Sequence, residues 1–408
     1  MNLRPRNNLV AIAHPGVVGR RLRGLVADEL FLHASATVPT GNAGRDAASA
    51  YEALAAVLAE QGAAPENLVQ EQVFLRPLRD DLVAATAARR RILGHAGPGE
   101  SQGAPAATWI GQAPLRDPRS CIEVLATALV PHADQGPSWL PDAACPASCR
   151  CADCKPGHRG RMVRIGNHLH LHAAGILGQG EGAEAQAFDA FVQAERLLER
   201  AGMDFRNVVR TWIHLRDIDR DYAALNDARR AFFASRSVEQ RPASTGVQGI
   251  PFAAGHDVSL SLLAIKGDGP VDARRMSTPT LNEAWSYGAD FSRGLRVVDG
   301  NKTALFLSGT ASIDEQGTSV HAGDLGAQAD RMVRNIETLL AGQEAGQGDL
   351  VSAIAYVKHP ADGAALLRRM EASGFGGLPL AVVEAPLCRP ELLCETEALA
   401  VLPSPPGR

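Results

Sequence analysis

Three segments of the chain share one pattern, and this repetition limits its fold more than any other feature. "ELFLHASATV" from Glu29, "HLHLHAAGIL" from His168 and "ALFLSGTASI" from Ala304 are apolar runs that end in small residues. Such a run reads as a strand entering a tight turn. A helical pattern follows each one. In "DLGAQADRMVRNIETLLA", Leu325, Ala329, Met332, Val333, Ile336, Leu339 and Leu340 form one apolar stripe, at the spacing of about 3.6 residues that a half-buried helix requires. "DAASAYEALAAVLAEQG" and "AQAFDAFVQAERLLERAG" have the same form. A second strand comes next in each copy ("VQEQVFLRPLRD", "VRTWIHLRDID", "VSAIAYVKHPAD"), with a basic residue at the matching place, Arg76, Arg216 or Lys358. Another helix and a closing strand complete the unit: "CIEVLATAL", "DVSLSLLAI" and "LCETEALAV". The whole recurs at a period of roughly 136–142 residues.

The expected organisation is therefore α+β, with three tandem domains at 1–130, 163–267 and 280–403. Residues 131–162 are Pro-, Gly- and Cys-rich and read as a linker or insert, and Gly267–Thr280 as a second linker. A length of 408 residues suits two or three cores rather than one. A net charge of −4 provides no general field for nucleic acid. "ARRRIL" (Ala88–Leu93) is more simply the solvated face of a helix. No apolar run approaches the roughly 20 residues of a membrane span, so the expected address is the cytoplasm.

Four of the seven cysteines lie in "CPASCRCADC", as Cys145, Cys149, Cys151 and Cys154. Four thiolates this close can wrap one tetrahedral Zn²⁺, with Pro146 and Gly157 at the turns. The expected role is structural, clipping an excursion that lacks its own core. An iron–sulfur cluster suits the same ligands, and a metal-free, redox-sensitive loop is the plainer alternative. No organic cofactor is expected.

The last closing strand lies in "PLCRPELLCETEALAV" (Pro386–Val401), which holds Cys388, Arg389, Glu395 and Glu397. Charges persist in buried strands when they are paired or used. Glu397 alternates with Glu395 and reads as a solvated rim residue; His168, His170 and His172 read as one face of a half-exposed strand. Cys121 and Cys394 read as core.

The repeat resembles the YjgF/RidA superfamily. That resemblance implies three chorismate-mutase-like domains in one chain, forming an internal pseudo-trimer around a central β-barrel with sites between neighbours. RidA-type imine deaminases hold the substrate carboxylate with an arginine about fifteen residues before the first glutamate of the closing strand. Here the nearest equivalents are Thr108, Ser244 and Leu380. The second copy also has Ser259 where the others keep Glu123 and Glu395.

The second and third copies are more similar to the chorismatase branch, whose members cleave the enolpyruvyl ether of chorismate. "CRPELLCETEA" from Cys388, "SGTASI" from Ser308, "HAGDLGAQ" from His321 and the Tyr287…Phe291–Arg293 element of "WSYGADFSRG" carry the likeness, as does "RTWIHLRDIDRDYAALNDARRAFF" with Arg229. The resemblance implies Glu395, Cys388 and Tyr287 as catalytic residues and Arg389, Arg293 and Arg229 as the anchors of a small anionic carboxylate. Cys388 implies a hydroxybenzoate product. No nucleic acid or membrane partner is expected, and the assembly is either a monomeric pseudo-trimer or a higher homo-oligomer. A RidA-type deaminase and a non-catalytic ligand-binding or scaffold protein are the alternatives.

Overall fold

The computed structural model describes residues 8–94, 104–132, 138–139 and 160–403, and for residues 138–139 and 286–287 the backbone only. The first unit comprises β1 (Leu9–His14), β2 (Val17–Leu22), β3 (Ala27–Ser35), α1 (Ala43–Glu60), β4 (Leu68–Leu75), α2 (Arg79–Leu93), β5 (Ala106–Gly111) and β6 (Ile122–Pro131). The second has β7 (Ser138–Trp139), β8 (Gly160–Ile165), β9 (His168–Leu177), α3 (Gly182–Arg200), β10 (Val208–Leu215), α4 (Ile218–Ser235), β11 (Ala243–Gln248), β12 (Ile250–Pro251) and β13 (Val258–Gly267). The third has β14 (Ala273–Arg275), β15 (Gly294–Val298), β16 (Lys302–Ala311), α5 (Leu325–Ala341), β17 (Leu350–Val357), α6 (Gly363–Met370), β18 (Leu380–Glu384) and β19 (Cys394–Pro403).

Local chemistry starts the helices. Asn42, Asp217 and Asp324 stand at helix N-caps and accept from the backbone N–H groups of Arg45, Arg220 and Ala327, so orphan donors of each first turn are satisfied. Apolar stripes then bury each helix pair against its own sheet. Tyr51, Leu54 and Leu58 pack on Leu30, Leu32 and Val124, Phe191 and Phe232 on Ile213 and Leu260, and Met332, Ile336 and Leu366 on Leu305 and Tyr356.

The sheets run β1-β2-β3-β6-β4-β5-β12, β11-β10-β13-β9-β8-β7 and β14-β15-β16-β19-β17-β18. Each contains one parallel pair, β4/β5, β10/β11 or β17/β18. The second unit lends β12 to the first sheet, with Ile250 opposite Gly111. Their helix-free faces are also apolar and touch pairwise. Val69 and Leu129 meet Val163 and Ile165, Leu22 and Phe31 meet Val351 and Val401, and Trp212 and Leu263 meet Leu295 and Phe306. Burial on both faces explains why these strands read as nearly continuous apolar runs.

A buried polar knot adds a further tie between the first and third units. Lys302 Nζ reaches Glu29 Oε1 at 2.6 Å and Asp299 Oδ2 at 2.7 Å, and Asn301 Oδ1 accepts from Val26 N at 2.8 Å. The expected central barrel is not closed. Among the described residues the three sheets remain open ladders that meet through side chains, with short bridges such as Pro114 to Val383 and Ala243 to Ser292 at their margins. Arg89 also departs from the solvated reading of "ARRRIL": it is buried and pairs with Glu71 across to β4. No helix among the described residues is long and apolar enough to cross a membrane.

Candidate active site

Strand β19 carries Glu395 opposite Ala311 of β16 and Tyr356 of β17, in the middle of the third sheet. The β16–β19 ladder slips between Leu307 and Thr310, and Gly309 sits in that bulge. A Cβ at Gly309 would stand 1.9 Å from Glu395 Oε1, so only glycine leaves the carboxyl its room. Glu395 is 6% exposed. Burial pushes its pKa up to about 7; the neighbouring Glu397 adds to the rise, and Arg293, Arg210 and Arg389 oppose it. A carboxyl of this kind carries a proton part of the time at neutral pH, as a general acid must.

Around Glu395 lies a narrow cleft between the second and third units. Cys388, Arg389 and Arg293 line it from the third, and Arg229 from α4 of the second. Five of the six sequence-derived candidates are thereby brought together; the side chain of the sixth, Tyr287, lies outside the described residues. Arg389 Nη1 donates to Gly317 O at 2.7 Å and to Ser319 Oγ at 3.2 Å. Arg293 Nε donates to Asn282 O at 2.9 Å, and Arg229 Nη2 to Asn226 Oδ1 at 2.6 Å. These contacts orient the guanidiniums. Phe291 lies between two of them, its ring centroid 5.5 Å from Arg229 and 5.7 Å from Arg293. Burial, and secondarily the charge of Glu395, pushes the Cys388 thiol up to about 12, so it remains protonated. The cleft suits an anion whose reacting carbon faces Glu395, because cationic groups and one acidic proton converge there.

Sequence reasoning missed Tyr222 of α4, which also lines the cleft. Its side-chain partner across the cleft, Cys388, belongs to the third unit, so no local pattern marks it. Gly309 was visible only as one letter of a motif. Two readings need correction. Glu397 is not a rim residue: it is 5% exposed, accepts from Trp212 Nε1 at 2.7 Å and Tyr356 Oη at 3.1 Å, and lies 2.8 Å from Arg210 Nη2. His170 and His172 are buried where the three sheets meet rather than on a half-exposed face. Register also moves one position compared for the missing arginine. Ser244 and Leu380 stand opposite Thr211 and Ala353, and the first-unit equivalent is Ala107 opposite Glu71 rather than Thr108. It, too, is uncharged. Cys121 and Cys394 are buried, as read. Cys145, Cys149, Cys151 and Cys154 lie outside the described residues.

The corresponding position in the first unit is built differently. Its β3–β6 ladder runs without a bulge, and His33 stands opposite Leu125 next to Glu123. His33 Nε2 lies 2.8 Å from Glu123 Oε2, and both side chains are almost wholly buried. An imidazole thus occupies the space that the Gly309 bulge opens over Glu395. In the second unit Ser259 replaces the carboxyl. One of the three equivalent positions therefore keeps both a glutamate and an open wall.

Residues 159–265 match the family described as Endoribonuclease L-PSP, which places this segment within the YjgF/RidA superfamily. Its fold is similar to that of a solved chorismatase, with a TM-score of 0.61 and 16% identity, over 82% of this chain and 93% of that one. A RutC family protein from Aquifex aeolicus is 29% identical over 86 residues, which are 21% of this chain and 66% of that protein. The solved YjgF gene product from E. coli covers 31% of this chain and 98% of its own, at 22% identity and a TM-score of 0.26.

Proposed function

We propose that the chain is a chorismatase-like enzyme that cleaves the enolpyruvyl ether of chorismate, or of a related cyclic carboxylate, in the cleft between its second and third units. The observation that carries this reading is Glu395: a buried carboxyl with its pKa near 7, among three arginines and under a glycine bulge. Arg389, Arg293 and Arg229 hold the substrate carboxylates. Protonated Glu395 delivers its proton to the enol methylene, which makes the adjacent carbon oxocarbenium-like and weakens the ether bond. The likeness to chorismatase and the cysteine at 388 support a hydroxybenzoate product. Pyruvate and hydroxybenzoate together contain all the atoms of chorismate, so no oxidant and no net water are consumed. A proton donor placed in this way contributes about 10²–10⁴-fold.

In this reading the three units stand as an internal pseudo-trimer in which the sheet faces pack around a shared axis. The four cysteines of 145–154 hold a structural zinc ion, and the protein works in the cytoplasm. The uncharged residues Ala107, Ser244 and Leu380 speak against a RidA-type deaminase, which needs an arginine there. Incubation of the purified protein with chorismate tests the reading. Pyruvate and an aromatic acid should appear together, and Glu395→Gln should release neither. Ammonia from an imino acid, without pyruvate from chorismate, would assign the protein to the deaminases instead.

A further inference from the structure

A second cavity, of about 100 Å³ and lined by a different set of residues from the cleft around Glu395, lies where the helix-free faces of the three sheets meet. Its walls are largely apolar: Phe31 and Leu125 come from the first unit, Trp212 from the second, and Phe306 and Leu399 from the third. Two buried side chains nevertheless reach this space with an unpaired nitrogen. Arg210 is 2% exposed. Its Nη2 donates to Thr245 Oγ1 at 2.6 Å and lies 2.8 Å from Glu397, while Nη1 has no partner. The guanidinium lies over Trp212, 5.0 Å from the ring centroid. His170 leaves Nε2 unpaired in the same cavity. The unpaired guanidinium N–H of Arg210 is a buried donor without an acceptor, which is costly, and a ligand that supplies the acceptor removes that cost. The carboxylates of Glu29 and Asp299 at the wall do not compete for Arg210, because both hold Lys302.

We propose that this central cavity binds a small aromatic carboxylate, with the carboxylate on Arg210 Nη1 and the ring packed among Phe31, Trp212 and Phe306. Aromatic walls favour a planar ring, and a guanidinium edge matches a carboxylate better than it matches a neutral acceptor. The site is distinct from the cleft, so it stands whether or not the cleft cleaves chorismate.

Crystals grown with 4-bromobenzoate test the proposal directly. An anomalous bromine peak between Trp212 and Phe306 is expected; a peak only in the cleft, or a cavity holding only water, overturns it. In solution, benzoate binding is followed by titration calorimetry on three proteins. Ser352→Leu, which fills the cavity from β17, should weaken binding at least ~10-fold, the scale of a lost guanidinium–carboxylate contact. Arg293→Met, which disables the cleft, should bind benzoate as the unmodified protein does. Undiminished binding by Ser352→Leu, or loss in Arg293→Met alone, would place the ligand in the cleft and refute the proposal.

Discussion

Replacing Glu395 by Gln should make the protein more resistant to unfolding at alkaline pH. Burial raises this carboxyl from 4.5 to about 7. In the unfolded chain it ionises near the lower value, while the folded chain keeps the proton until the higher one. Stability from this group is therefore fully present below pH 4.5 and is lost as the pH rises through about 7. The difference of about 2.5 units corresponds to roughly 3 kcal/mol, and about 2 to 3 kcal/mol of it falls between pH 5 and 8.5. Glutamine keeps the shape and does not titrate, so the variant escapes this loss. Guanidinium unfolding of both proteins at the two pH values measures it. The stability of the variant relative to the parent should rise by about 2 to 3 kcal/mol from pH 5 to pH 8.5. Parallel curves across that range would refute the reasoning, because Glu395 would then titrate alike in folded and unfolded chains.

Three further predictions follow from the same contacts. Gly309→Ala places a methyl group where Glu395 Oε1 stands and should lower chorismate turnover by at least ~10²-fold, the scale of a displaced general acid, with the circular dichroism spectrum unchanged. Lys302→Met leaves Glu29 and Asp299 buried without their cation; thermal or chemical denaturation should show a loss of about 3–5 kcal/mol, largely recovered when both carboxylates are also made amides. Metal analysis of protein purified without oxygen should find one zinc per chain, removed when Cys149 and Cys151 are replaced by Ser; metal-free parent protein with four titratable thiols would contradict the cysteine reading.

The parts of the fold legible in the sequence were those set by short-range periodicity. The Leu325–Leu340 stripe marks α5 because a helix needs only residues three and four apart to agree. Glu395 was legible as a buried acid for a related reason, since it interrupts an apolar strand beside a Cys-Arg pair. The surroundings of Glu397 were not legible. Strand alternation tells which face a residue takes, not what covers that face, and Trp212 and Arg210 arrive from another unit. The same holds for His170 and His172, which look half-exposed until two other sheets close over them. Arg89 was misread because Glu71, its partner, sits on the neighbouring strand rather than one helical turn away. The contrast between His33 and Gly309 was hidden too, because a one-residue bulge changes the register while the apolar pattern survives.

The most direct test of the account is the pH dependence of pyruvate release from chorismate between pH 5.5 and 9. Because the acid form of Glu395 donates the proton, kcat should fall as pH rises, with a midpoint near 7, and Glu395→Gln should abolish the activity at every pH. Turnover that is flat across this range, or that survives in Glu395→Gln, would contradict the assignment of Glu395 as the proton donor.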